Sequence, residues 1–170
     1  MNKYFGSAYQ FGTLGGILSV IAFGILAWME PDPTNLNLIF GYVITPISIF
    51  LALKFFKDYS NNGFISFAEG MSVGFVTYCL IAFISGLGIW IILLSFPELF
   101  EEIKSSKLEV LGSSKETIIS QVGEDSYQST LKNVQSMVPF DIGLNDAIWK
   151  IIPGLFFTII ISIILRKNPN

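Results

Sequence analysis

Few side chains in this 170-residue sequence could do chemistry. Two carboxylates, Asp58 and Glu69, flank a short polar string that ends in an apolar stretch. A carboxylate at that position could carry a proton or ligate an ion. Glu69 also stands three residues after Ser66, the spacing of a capping box, which makes a helix cap the commoner use of it. The single thiol, Cys79, lies inside an apolar stretch and reads as a small packing residue, with reversible thiol chemistry as the alternative. Pro46 stands between Thr45 and an Ile-Ser pair ending in Ser48, and Pro153 beside Gly154. Proline has no N–H, so it frees a backbone carbonyl, and broken helices can coordinate ions that way. A kink held by neighbouring hydroxyls is the packing alternative.

Other chemistry is excluded by absence. With no histidine and one cysteine, the chain offers no imidazole base, no structural zinc site and no intrachain disulfide. No glycine-rich phosphate loop follows a strand, so nucleotide binding has no support. A net charge of −3 without a basic run gives no case for nucleic acid. No nucleophile lies near Asp58 or Glu69 in the sequence, and the expectation is a protein that is not an enzyme and carries no cofactor or metal.

The elements that hold these residues follow from composition. Hydrophobic residues make up 52% of the chain and charged residues 14%, with a mean hydropathy of +0.62. Residues 4–29, 33–53, 70–97 and 151–165 carry no charge at all. A helix of about 20 apolar residues crosses a hydrocarbon core of ~30 Å. The expected fold is therefore all-α: a polytopic membrane protein with four transmembrane helices in a bundle, at about 8–29, 37–56, 67–96 and 147–165. The fourth window covers only roughly 22 Å at the helical rise. Its helix is expected to begin near Ala147, with the Lys150 ammonium extended to the lipid headgroups and Asp146 facing it one turn away. The first window is too long for a cleaved signal, and residues 27–30 offer no small-x-small cleavage site.

Orientation follows from the cations beside the spans. With both termini cytoplasmic, the inner segments hold Lys3, Lys54, Lys57, Arg166 and Lys167 against Asp58 and Glu69. The opposite side receives Glu30, Asp32 and the acidic stretch after Glu98. The expected location is the inner (cytoplasmic) membrane. On the inner side, Asn62-Gly63 marks a tight turn, and the Ser66–Glu69 capping box starts the third span.

Rows of small residues recur at fourfold spacing: Gly12 and Gly16 in the first span, Gly70 and Gly74 in the third, and Gly154, Thr158 and Ser162 in the last. In lipid such rows let helix backbones approach, either within the bundle or at a homodimer seam. The 97–146 segment reads as an extramembrane hairpin of two helices between the third and fourth spans. Pro97 opens the first and Gly112 ends it; a Ser113–Glu116 capping box opens the second, Gly123 breaks it and Pro139 stops it. This hairpin packs on itself, on the bundle, on the membrane surface or on a partner.

Taken together, a Lys57-Asp58 pair after the second span, the string from Asn62-Gly63 to Phe67 with Glu69 before a small-residue-rich third span, Pro97-Glu98 opening an acidic helical segment, Pro139, and a last apolar helix ending in Arg166-Lys167 resemble the domain-of-unknown-function 4199 family. The resemblance covers essentially the whole chain. It implies a small four-span membrane protein of a kind found mostly in Bacteroidota, with no catalytic residue to carry over. Lys150 and Pro153 at the start of the last helix depart from the family pattern. The leading functional expectation is a non-enzymatic accessory or structural envelope subunit, with the lipid bilayer and an envelope protein, or a second copy, as partners. A small-solute channel or carrier is the alternative. No ionisable group is expected at mid-span, which weighs against proton-coupled transport.

Overall fold

A computed structural model describes residues 3–168 as a helical bundle with a helical cap. The first helix, α1 (Lys3–Met29), turns at Asp32-Pro33 into α2 (Thr34–Phe55). There the Asp32 carboxylate accepts from both the backbone N–H (3.0 Å) and the hydroxyl (2.6 Å) of Thr34, satisfying an otherwise orphaned donor of the helix start. A π-helical turn, Phe56–Ser60, extends α2. The chain reverses at Asn62 (φ +54°) and Gly63 (φ +81°), a left-handed pair that these two residue types tolerate best. Ser66 then caps α3 (Phe67–Ser95): its hydroxyl accepts from Glu69 N–H, and the Glu69 carboxylate accepts from Ser66 N–H at 2.9 Å.

The segment after α3 forms three helices where two were expected: α4 (Pro97–Ser113), α5 (Lys115–Val122) and α6 (Glu124–Gln135). Gly112 does not end the first. The Ser113 hydroxyl donates back to the Val110 carbonyl at 3.0 Å, so it closes α4 and does not cap α5. Gly123 (φ +86°) makes the break between α5 and α6. The last helix, α7, runs Pro139–Leu165 and begins eight residues before the expected start. Pro139 needs no N–H at the first helical position, and the Asp141 carboxylate accepts from Val138 N–H at 2.8 Å. The proline read as a stop is also a start.

Among the described residues, four helices are long and apolar enough to cross a membrane: Lys3–Met29, Thr34–Ser60, Phe67–Ser95 and Pro139–Leu165. Around the bundle they run α1, α2, α7, α3, with α2 and α3 also meeting across the centre. Side chains such as Leu14, Ile21, Phe83 and Ile164 point outward, as a lipid-facing surface requires. The small-residue rows face inward. A Cβ on Gly12 would lie 2.9 Å from Leu80 Cβ, and one on Gly70 2.6 Å from Ser162 Oγ; Gly16 meets Ile84 and Gly74 meets Thr158. Gly86 and Gly143 bring the backbones of α3 and α7 together, since a Cβ on Gly86 would lie 2.7 Å from the Gly143 carbonyl oxygen. Dispersion between closely approached backbones, not hydrophobic transfer, holds helices together in lipid, and these ridges supply it.

Each end of the bundle is closed differently. At the end holding both termini, Ile65 and Lys167 exchange two backbone hydrogen bonds of 2.9 Å, Lys3 reaches Glu69 (3.2 Å) and Asn61 (3.1 Å), and Lys57 donates to the Leu165 carbonyl. Beneath this lies an apolar cluster of Ile49, Leu53, Phe56, Ile65 and Val73, all fully buried. At the other end α4 lies over the bundle. Its Phe100 and Ile103 pack against Phe23, Ile89, Leu93 and Ile142, and its Lys107 pairs with Asp32 at 2.8 Å. Burying Ile103 completely is worth roughly 1.5–3 kcal/mol, enough to seat the cap. By contrast, α5 buries no residue and α6 buries only Tyr127.

Candidate functional site: a charge pair inside the bundle

The early start of α7 changes the setting of Asp146 and Lys150. Lys150 stands two residues from the midpoint of a 27-residue helix, and its side chain is 1% exposed where it was expected to extend to the headgroups. The expectation that no ionisable group lies at mid-span is therefore wrong. The Asp146 side chain, one turn nearer the cap, is 6% exposed. The ammonium is held by the carboxylate: Lys150 Nζ donates to Asp146 Oδ1 at 2.5 Å. Extending Lys150 outward would have left Asp146 alone in an apolar bundle, and an uncompensated buried charge costs far more than a paired one.

Three helices converge on that carboxylate. From α2, Asn37 Nδ2 donates to Oδ1 at 2.8 Å. From α3, Ser85 Oγ donates to Oδ2 at 2.6 Å. Hydrogen bonds to a charged acceptor are roughly twice as strong as neutral ones, so each of these donors offsets part of the cost of desolvating Asp146. Gly41, one turn along α2 from Asn37, makes room for the lysine stem: a Cβ there would sit 3.4 Å from Lys150 Cε. Asn37, Gly41, Thr45 and Ser48 form a buried ridge of small and polar residues on α2. Two atoms on it, Asn37 Oδ1 and Thr45 Oγ1, have no hydrogen-bond partner among the described residues. Pro46 follows directly, so the Tyr42 carbonyl loses its helical donor; Pro153 does the same to Trp149 on α7. The prolines thus lie next to the polar seam, one on α2 and one on α7.

One cavity touches Asp146 on the cap side, and a second lies next to the first. The first, of about 10 Å³, is lined by Asn37, Asn145 and Asp146 with Phe23 and Ile89 among its walls. The second, a vestibule of about 490 Å³, opens beneath the cap, between Lys107 of α4, Asn133 of α6 and Asp141 of α7. Thr34, Ile142 and Asn145 line both.

Of the residues singled out in the sequence, Pro46 and Pro153 lie beside the pair and the others lie elsewhere. Asn62, Gly63, Ser66 and Glu69 build the turn and cap at the terminal end, where Glu69 is held by Ser66, Asn61 and Lys3. Cys79 is half-buried in α3 against the apolar cluster of that end. Gly12, Gly16, Gly70 and Gly74 are packing contacts. Sequence reasoning noticed the i,i+4 relation of Asp146 and Lys150 but set it at the membrane surface, and it passed over Asn37 and Ser85 altogether. The missed signal was Pro139 as a helix start: placing it there puts the pair inside a span.

No curated protein and no solved structure matches the chain. Residues 10–167 match the model of a family described as "Protein of unknown function (DUF4199)", and the chain belongs to that family.

Proposed function

We propose that this protein is a non-enzymatic carrier or channel for protons and small solutes, and that the Asp146–Lys150 pair is its working element. One observation carries the reading: an Asp and a Lys are buried together inside a membrane-spanning helix. Packing alone gives no reason for them. Replacing a buried ion pair by apolar residues is often neutral or stabilising, and ionisable groups in spans characteristically mark ion or proton pathways. Protonating Asp146 would free Lys150 from its partner, so the pair has two arrangements to which helix packing can respond. Gly41, against which the lysine stem lies, and the prolines of the seam beside it are where α2 and α7 can respond. The reading reverses the order expected from sequence, because the absence of mid-span charge was the main argument against it.

In this reading the terminal end, with Lys3, Lys54, Lys57, Arg166 and Lys167, faces the cytoplasm, and the acidic cap faces outward across the inner membrane. The test is proton uptake by proteoliposomes that enclose a pH-sensitive dye, driven by an imposed potential. Wild-type protein should acidify the lumen faster than protein-free liposomes, and Asp146→Asn should fall to the protein-free rate. Wild type at the protein-free rate would overturn the reading.

A second reading, an accessory subunit that binds an envelope protein through the cap, draws on the bare surface of α5 and α6. It predicts a stable partner on purification in mild detergent and loss of that partner when α5 and α6 are deleted.

A further inference from the structure

We infer that the cavity beside Asp146 is a water site, and that this water connects the buried charge pair to the vestibule under the cap and to no other face of the protein. A cavity needs roughly 10–15 Å³ to hold one water, and that water needs two to four polar partners. This cavity has about 10 Å³, and its lining offers Asn37, Asp146, Asn145 and Thr34. Asn37 supplies the decisive atom. Its amide nitrogen is committed to the Asp146 carboxylate, which fixes the orientation of the side chain, since an ionised carboxylate only accepts. Its Oδ1 is left as an acceptor with no donor: the residue is 2% exposed, and no described residue donates to it. Leaving a buried acceptor unsatisfied costs about 1–3 kcal/mol, and a water donating one hydrogen to Oδ1 and the other to Asp146 removes that cost.

The connection runs one way. Thr34, Ile142 and Asn145 are common to the cavity and the vestibule, and Asn145 is exposed, so bulk water lies one side chain away. Toward the terminal end the bundle is filled by Ile49, Ala52, Leu53 and Val73, each without measurable exposure. Charge favours the same direction for protons. The cap and first loop hold Glu30, Asp32, Glu98, Glu101, Glu102, Glu109, Glu116, Glu124, Asp125 and Asp141 against four lysines, and a field of one sign raises the local concentration of the opposite ion.

The inference deepens the proposed function but is tested without it. Hydroxyl radicals generated by X-ray pulses from bound water oxidise the side chains that touch that water, and mass spectrometry reads the sites. In the full-length protein in lipid nanodiscs, Phe23 and Ile89, which wall the cavity, should be oxidised several-fold faster than Ile49 and Leu53, which are as deeply buried. Asn37→Leu, which removes the acceptor and fills the space, should bring Phe23 and Ile89 down to the level of Ile49; if that variant does not fold, the wild-type comparison decides. Equal protection of all four residues would overturn the water site, and equal oxidation of all four would overturn the one-sided route. Oxidised Phe23 and Ile89 in a protein that moves no protons would leave the water site standing and remove the transport reading alone.

Discussion

Lys150 Nζ lies 2.5 Å from Oδ1 of Asp146, one turn earlier on α7, and both side chains are buried. Because Asn37 and Ser85 bind the same carboxylate, the pair ties α7 to α2 and α3 as well as neutralising itself. Two charges are thus kept, and held from three sides, inside the bundle.

The pair should behave as a unit. Removing one member leaves the other charged and buried, so Lys150→Met and Asp146→Leu should each destabilise the folded protein by roughly 3–5 kcal/mol. The double variant should recover most of that loss. Thermal unfolding in detergent, followed by size-exclusion fluorescence, gives the ranking; additive losses in the double variant would contradict the coupling.

Helix approach should depend on the glycines that face inward and on no others. Gly86→Ala would push a methyl against the Gly143 carbonyl, a backbone atom that cannot step aside, and should destabilise by about 1–3 kcal/mol. Gly24→Ala, where no atom lies within 4 Å, should be neutral or slightly stabilising, because Ala outranks Gly in a helix by about 1 kcal/mol. The same melting assay separates them.

Glu69 should prove structural. Its carboxylate closes the capping box and meets Lys3 in a half-exposed ion pair, so Glu69→Gln, which keeps an acceptor, should cost no more than about 1 kcal/mol. Proton uptake should be unchanged by it. A loss as deep as that of Asp146→Asn would move the site to the other end of the bundle.

Sidedness has a direct check. In a Cys79→Ala background, Ser113→Cys should react with a membrane-impermeant maleimide applied to intact cells, and Asn62→Cys should react only after permeabilisation, since both positions are exposed but lie at opposite ends. The reverse pattern would invert the orientation.

The sequence made the bundle legible because its signals are local. Charge-free windows mark helices of spanning length, Asn62-Gly63 marks a turn, and Ser66 and Glu69 mark a cap, each within a few residues. The charge pair was legible only as a spacing. Whether a lysine at the edge of an apolar window turns to the headgroups or to the interior depends on what it meets inside. Here the groups that hold its partner, Asn37 and Ser85, stand 109 and 61 residues from Asp146 in the chain. Nor could the sequence show that Gly41 leaves space for the lysine stem, since a glycine in a span is equally a helix-packing residue. The cap was misread for a different reason: Ser113 can close one helix or open the next, and the geometry of Val110 and Ser114 decides.

The central claim is that Asp146 exchanges a proton with the aqueous phase while it remains inside the bundle. Infrared difference spectroscopy of the protein in lipid, with the bathing buffer switched between neutral and acidic pH, reads this at the carboxyl group itself. The acid-minus-neutral spectrum should contain the carbonyl stretch of a protonated carboxylic acid that shifts in heavy water and is missing from Asp146→Asn. Identical spectra for wild type and Asp146→Asn across that switch would contradict the claim and leave the pair as a staple between helices.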